Sequence, residues 1–533
     1  MKTKLFLLML CILSMQAYSQ NITNTLGTGG VFKIKDGTSD YLTLNQSTGQ
    51  VNILKTLRLE NTTSPSLGVI FKGVDRFIHN YGTNNTFMGI NSGNFTMTGN
   101  GYNTALGYQS LNSNTTGFQN TAIGHQSLFK NTGGINNTAS GISSLSSNTT
   151  GLENTADGSF SLSLNTTGSR NTAIGSNSLS NNLTGNDNTA NGINALISNT
   201  TGNYNTASGS GALYYNNGNY NTAYGTQSLH FNTTGFENTA VGLNSLYNNT
   251  IGEYNTAMGS QSLFSNTTGI NNTANGTNSL KSNTTGANNT AAGMYSLYNN
   301  TSGNSNTSIG NESLIDNVTG SKNTAVGRNA LFTNTLGNYN TVLGSDAYSA
   351  NGTLNNFTGI GFNVGYYTST SNSVNIGNSS VSWIGGQVGW STYSDERIKD
   401  NITENVPGLA FINKLRPVTY NLNIHKQNEI MYKGKTNQEE WDSKYDIEKI
   451  RMTGFIAQEV EKAALEANYN FSGVEKSKDE TGLYSLRYSE FVVPLVKAVQ
   501  EQQTQIQNQQ TYIQNQERII AELTKRIEQL EMK

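Results

Sequence analysis

Asn103-Thr104-Ala105-Leu106-Gly107-Tyr108-Gln109-Ser110-Leu111-Asn112-Ser113-Asn114-Thr115-Thr116-Gly117-Phe118-Gln119 is one copy of a unit that fills the middle of this 533-residue chain. Asn-Thr pairs at Asn103, Asn120, Asn137, Asn154, Asn171, Asn188 and Asn205, then at Asn221, Asn238, Asn255, Asn272, Asn289, Asn306, Asn323 and Asn340, mark 15 copies. The spacing is 17 residues, with one interval of 16 between Asn205 and Asn221. The glycine of Asn-Thr-Ala-x-Gly, as in Gly107, Gly124 and Gly344, is kept in all 15 copies, and leucine fills the ninth position in 14.

A period of this length signals stacked structural repeats. The apolar content of a copy is small, typically an alanine, a neighbouring aliphatic residue and a leucine, too little to order itself, so copies must stack. Asn-Thr-Thr-Gly is turn chemistry, with glycine available for positive φ, and the two short segments between turns read as strands. One coil per copy then rises about 4.8 Å, or roughly 70 Å for the series. Stacked asparagines and threonines are placed to form side-chain ladders. The expected fold class is mainly β: a β-solenoid or β-roll fibre of 17-residue repeats, followed by a small α+β unit and a C-terminal trimeric coiled coil. Gly, Ser, Asn and Thr in such abundance also suit a disordered stalk, but leucine and glycine held in register argue for packing. The Asn-x-Thr triplets are intrinsic to the repeat and are not read as glycosylation sites.

Outward from the repeat, Met1-Lys2-Thr3-Lys4, the apolar run Leu5 to Leu13, and Ala17-Tyr18-Ser19 before Gln20 have the layout of a signal peptide. The run is too short to span a membrane. The only cysteine, Cys11, lies inside it, so disulfides and thiol chemistry are excluded for the remainder of the chain. The expected location is the cell surface or outside the cell, with no transmembrane segment. A formal net charge of −2 gives no reason to propose nucleic acid as a partner. Neither a cofactor nor a metal is expected. The alternating runs Val31-Phe32-Lys33-Ile34-Lys35 and Tyr41-Leu42-Thr43-Leu44-Asn45, broken by Asp36-Gly37 and Thr48-Gly49, read as hairpin strands. The expected organisation is a signal peptide at 1–19, a β-rich shaft at 20–84, the repeats at 85–361 and a β-rich cap at 362–390. A charged α+β unit at 391–490 and a coiled-coil helix at 491–533 complete it.

The chain changes character at Tyr393-Ser394-Asp395-Glu396-Arg397-Ile398-Lys399-Asp400-Asn401-Ile402, where low-charge repeats give way to an ordinary charged domain. A serine hydroxyl is a weak nucleophile unless a neighbour accepts its proton, and a lysine does so only as the neutral amine. Burial must therefore lower the pKa of Lys399 from its ordinary ~10.4, a shift of roughly 3–5 units being within reach of desolvation. His79, His125, His230 and His425 are scattered, and only His425 lies in the terminal unit, so a Ser394–Lys399 dyad acting beside Ser394 is the economical reading. Residues five apart do not share a helical face; they meet through a bend or across subunits. The plain alternative is a helix N-cap, since Ser394 followed by Asp395 and Glu396 is good first-turn chemistry.

This segment resembles the signature of the self-cleaving C-terminal chaperones of phage endosialidase tailspikes and fibres, Ser-Asp-x-Arg-hydrophobic-Lys-x-Asn-Ile, at every signature position. Leu415-Arg416-Pro417-Val418-Thr419-Tyr420, Gly454-Phe455-Ile456-Ala457-Gln458-Glu459-Val460, Tyr484-Ser485-Leu486-Arg487-Tyr488 and Leu495-Val496-Lys497-Ala498-Val499-Gln500-Glu501 follow in the family's order. The resemblance implies a domain that guides trimerisation of a β-rich fibre and then cuts itself off, with Ser394 and Lys399 catalytic and Asp395, Arg397 and Asn401 supporting. The repeats resemble, more loosely, the β-roll heads of trimeric autotransporter adhesins.

Val492, Val499, Ile506, Ile513, Ile520 and Ile527 are spaced by seven, with Leu495, Gln502, Gln509, Gln516, Leu523 and Leu530 three residues later. This heptad pattern with polar layers suits a parallel coiled coil, and three strands fit a fibre best. The favoured function is an exported trimeric fibre or adhesin-like protein, matured by autoproteolysis, whose repeats bind a surface polysaccharide or protein or serve as a spacer. The alternatives are a structural fibre that keeps its terminal cap, and a glycan-cleaving spike. Glycoside hydrolysis needs two positioned carboxylates, and Glu153, Asp157, Asp187, Glu237, Glu253 and Glu312 are isolated. An ice-binding face is disfavoured because the threonines are expected on the turns.

Overall fold

The computed structural model describes residues 31–35, 40–45, 47–54, 56–347, 352–365, 370–387, 389–432, 443–476 and 482–532. The signal peptide read at 1–19, Cys11 included, and the turn at Asp36-Gly37 lie outside these residues.

Each Asn-Thr-Ala-x-Gly copy forms one three-residue strand, and the strands stack in sequence order. Strand β7 (Thr104–Leu106) begins a run of 15 that ends at β21 (Thr341–Leu343), always parallel, threonine opposite threonine. Because side chains alternate along a strand, threonine and the third residue point outward and the alanine inward: Ala122, Ala139 and Ala156 are fully buried. β22 (Phe357–Ile360) and β23 (Ser373–Ile376) prolong the ladder. At the other end β6 (Thr86–Met88) joins it in parallel, while β4 (Ile70–Lys72) and β5 (Asp75–His79) close it as an antiparallel hairpin. Upstream, β1 (Val31–Lys35), β2 (Asp40–Asn45) and β3 (Gln50–Ile53) form a separate antiparallel sheet.

Only one of the two strands expected per coil forms. The second segment, x-Ser-Leu, is a turn in which Gln109 and Leu111 adopt φ of 54° and 50°, and the pattern recurs coil after coil. A leucine with positive φ costs about 1–2 kcal/mol; full burial, as at Leu111, Leu128 and Leu145, returns about 1.5–3 kcal/mol each. The roles of the glycines also differ from the turn reading. Positive φ falls on the glycine after the strand, Gly107 at 139°, where a Cβ would collide with the Gly124 carbonyl oxygen of the next coil. Gly117, in Asn-Thr-Thr-Gly, is needed for space, since a Cβ there would meet Asn114 and the Gly134 carbonyl. Threonines, expected only on the turns, also form an outward column along the strands.

The asparagine ladders form. Asn120 donates from Nδ2 to Asn103 Oδ1 at 3.2 Å and to Gly134 O at 2.8 Å, while its backbone N–H donates to the same Oδ1 at 3.0 Å. A second column repeats the device, with Asn131 Nδ2 at 2.9 Å from Asn114 Oδ1. Buried amides are satisfied without charge, which is how the coil interior tolerates so many polar residues. Asn114, Asn148 and Asn165, each the first residue of an Asn-Thr-Thr triplet, are fully buried.

The α+β unit is built on a small core of Phe411, Val460, Ala463, Ala464, Phe471 and Phe491. Its elements are α1 (Leu409–Ile412), α2 (Ile424–Tyr432), α3 (Ala457–Glu466), the pair β24 (Val418–Tyr420) with β25 (Met452–Gly454), and the hairpin β26 (Val474–Lys476) with β27 (Tyr484–Leu486). Helix α4 (Val492–Glu531) runs 40 residues, about 60 Å at 1.5 Å per residue. It buries only Pro494 and Ala498. Gly408 packs against the backbone at Lys497 and Ala498, and Glu501 accepts the Leu409 N–H at 2.7 Å, so the start of α4 is part of the α+β core.

Candidate functional site

Between the last coil and the α+β unit no strand forms among the described residues, and residues 389–405 are exposed. A 3-10 turn at Glu396–Ile398 is the one regular feature there. Asp395 caps it: its carboxylate accepts the Arg397 N–H at 2.9 Å and pairs with both Nε and Nη2 of Arg397, at 2.9 and 2.7 Å. The hydrogen bonds from Arg397 hold the Asp395 carboxyl below its usual range, and the Arg397 guanidinium is raised in turn. With three residues per turn, this tight winding carries Lys399 back toward Ser394. Lys399 Nζ lies 2.6 Å from Ser394 Oγ.

The serine and the lysine thus meet through a bend within one chain, and the N-cap of the turn is Asp395, one residue after the serine. Asn401 marks a second bend at φ 56°, a conformation asparagine tolerates better than most residues. No hydrogen bond joins its side chain to the dyad among the described residues. The lysine's ammonium can donate to Oγ at this distance; to act as base it must first lose its proton. Burial, the condition that chemistry sets for Lys399, is not met within one chain, where Ser394 and Lys399 are both exposed.

Three of the four downstream motifs converge on one another and not on the dyad. Arg416 of Leu-Arg-Pro pairs with Glu459 of Ala-Gln-Glu through two contacts, at 3.0 and 2.5 Å. Phe455 N–H donates to the Tyr488 hydroxyl at 3.1 Å, and that hydroxyl fills the space a Cβ at Gly454 would take. Burial, with Tyr488 nearby, raises the Tyr420 hydroxyl pKa. Sequence reading treated these motifs only as recognition marks. Their pairing as a frame was not legible, because an Arg and a Glu 43 residues apart announce no contact.

Residues 394–469 match the family described as chaperone of endosialidase. The endosialidase-chaperone match opens on Ser394 itself, so the candidate nucleophile sits at the border between solenoid and chaperone. No curated protein and no solved structure matches the chain. A β-solenoid leading into an endosialidase-type chaperone domain fits a tail-fibre-like protein. Among the described residues, no helix is long and apolar enough to cross a membrane.

Proposed function

We propose that this protein is an exported trimeric fibre or adhesin-like surface protein whose terminal chaperone directs assembly and then releases itself by a serine–lysine cut beside Ser394. The observation that carries the proposal is the 2.6 Å contact between Lys399 Nζ and Ser394 Oγ at the first residue of the chaperone match. Neutral Lys399 takes the hydroxyl proton as Oγ attacks a neighbouring peptide carbonyl. The proton passes to the departing amine, and water hydrolyses the ester left on Ser394. Asp395 and Arg397 hold the turn that sets the distance, and Asn401 bends the chain after it. Assembly supplies the desolvation that a single chain lacks.

The exposed heptad side chains of α4 support a trimeric coiled coil: Val499, Ile513, Ile520 and Ile527 are each more than half exposed in one copy. Such a stripe is buried when helices supercoil. The solenoid then serves as a shaft that contacts a surface polysaccharide or protein, or as a spacer.

The exposure of Lys399 favours a second reading, a structural fibre that keeps its chaperone as an uncleaved trimer cap. Denaturing electrophoresis with intact mass, on the wild-type chain beside Ser394→Ala and Lys399→Ala, separates them. A fragment that starts at Ser394 or Asp395 in wild type, with both variants full length, supports self-release and identifies the bond. Three full-length chains that still form trimers establish the retained cap.

A further inference from the structure

The two ends of the solenoid are closed differently. At the N-terminal end the β4–β5 hairpin pairs with β6, and Arg76 donates to the carbonyls of Asn91 and Ser92, both at 3.3 Å. At the other end β23 pairs, among the described residues, with β22 alone. Its outer edge therefore offers backbone donors and acceptors without strand partners among the described residues, and proteins normally cover such edges.

A cleft of about 790 Å³ lies against this edge. Ser373, Val374 and Asn375 form one wall; Lys476, Tyr484 and Arg487 of the chaperone hairpin form the other. Consecutive strand residues point to opposite faces, so a cleft lined by three in a row meets the strand edge-on. No strand pairing joins the two walls among the described residues, and the space between has the size of an ordinary ligand groove. Its shape suits an added strand.

The chain also carries a segment in need of cover. Trp383 and Ile384 are 80% and 63% exposed, and Trp390 is 91% exposed. Residues 381–387 make no strand and line no part of the cleft. Their own chain leads them past it: Val381 N–H closes a turn onto Asn378 O at 3.2 Å, and Ser379 Oγ contacts Asn428 Oδ1 of α2 at 3.1 Å.

We infer that residues 381–387 of one copy enter the cleft beside Ser373–Ile376 of a second copy and add a strand to its open edge. The inference rests on the proposed assembly of copies. The contact is heterologous, each copy giving an arm and receiving one, and it closes as a ring in a trimer. Hydrogen bonding runs along the edge, while Trp383 and Ile384 lose their exposure to solvent.

Cysteine pairing tests it in the full chain with Cys11→Ser, which removes the only native thiol, and Ser394→Ala, which keeps both walls of the cleft joined. Val374→Cys and Ser382→Cys are placed on separate, differently tagged chains and co-expressed. The expected result is a disulfide between the two tagged chains that neither forms alone. A disulfide within one chain, when both cysteines share it, overturns the exchange in favour of a self-folded arm. No disulfide in chains that sediment as trimers overturns the cleft contact and leaves the assembly standing. Monomers throughout overturn the assembly reading and the inference with it. A second readout needs no cross-link: with Trp390→Phe and Trp441→Phe, emission from Trp383 shifts to the blue on assembly, and an unshifted spectrum in a trimer counts against the contact.

Discussion

Asn217 Oδ1 accepts the backbone N–H of Thr201 at 3.0 Å and that of Thr200 at 3.2 Å. In a regular coil this place belongs to a backbone carbonyl, as where Thr132 O receives Thr115, Thr116 and Gly117. The 16-residue copy lacks the residue that would supply it, and the amide side chain stands in for the missing peptide.

Asn217→Ala should therefore loosen the coil before it. Amide exchange at Thr200 and Thr201 is expected to speed up while that at Thr132 stays unchanged, with a cost of about 0.5–1.5 kcal/mol because these groups can turn to water. Equal exchange in both proteins would show that the side chain merely fills space.

Interior ladder positions should be far less forgiving. Asn154 receives Asn171 and donates to Asn137 and Gly168, all out of solvent. Asn154→Ala strands several buried groups and should cost about 2–4 kcal/mol in urea unfolding, at roughly 1–3 kcal/mol per unsatisfied group. Asn154→Asp should be worse, since it places a charge in the same dry column.

The N-terminal cap should weaken in acid. His79 is buried, and burial pushes it down to about 4 from 6.5. Nε2 reaches Ser92 O at 2.8 Å and Nδ1 accepts the Tyr81 N–H at 3.3 Å, an arrangement only the neutral ring satisfies. Between these two values the unfolded chain binds a proton that the folded cap refuses, so stability is full above the unfolded value and falls as pH drops toward about 4. The loss should reach about 2–3 kcal/mol, at 1.36 kcal/mol per unit. Exchange rates around Phe87 and Phe95, followed from pH 7 to 4, should rise in wild type and not in His79→Phe.

Asp395→Asn keeps an acceptor for the Arg397 N–H but removes the ion pair. Because the pair is exposed to solvent, stability should scarcely change. The rate at which a full-length chain is lost should fall by a larger factor if the turn sets the Ser394–Lys399 distance. A rate equal to wild type would assign Asp395 and Arg397 to surface solubility only.

The solenoid was largely legible because its signal is periodic: thirteen alanines and fourteen leucines in register admit little besides a stack, and the asparagine ladders follow from identity at each level. Coil geometry was less so. A Ser-Leu pair does not declare that Leu111 turns to positive φ, since the penalty is offset by burial that only the stack provides. At the junction, sequence paired Ser394 with Lys399 through a bend or across subunits, and the turn capped by Asp395 is such a bend. The desolvation asked of Lys399 is absent because one copy leaves this segment bare.

A ladder whose every rung has the same footing is a ruler. Adding or deleting a 17-residue copy changes reach by one strand spacing, about 4.8 Å, while the Arg76 plug and the terminal arm keep their surroundings. The coil with 16 residues shows that a copy one residue short is accommodated by one amide side chain. The span of this fibre can therefore drift by gain or loss of repeats without any redesign of its ends.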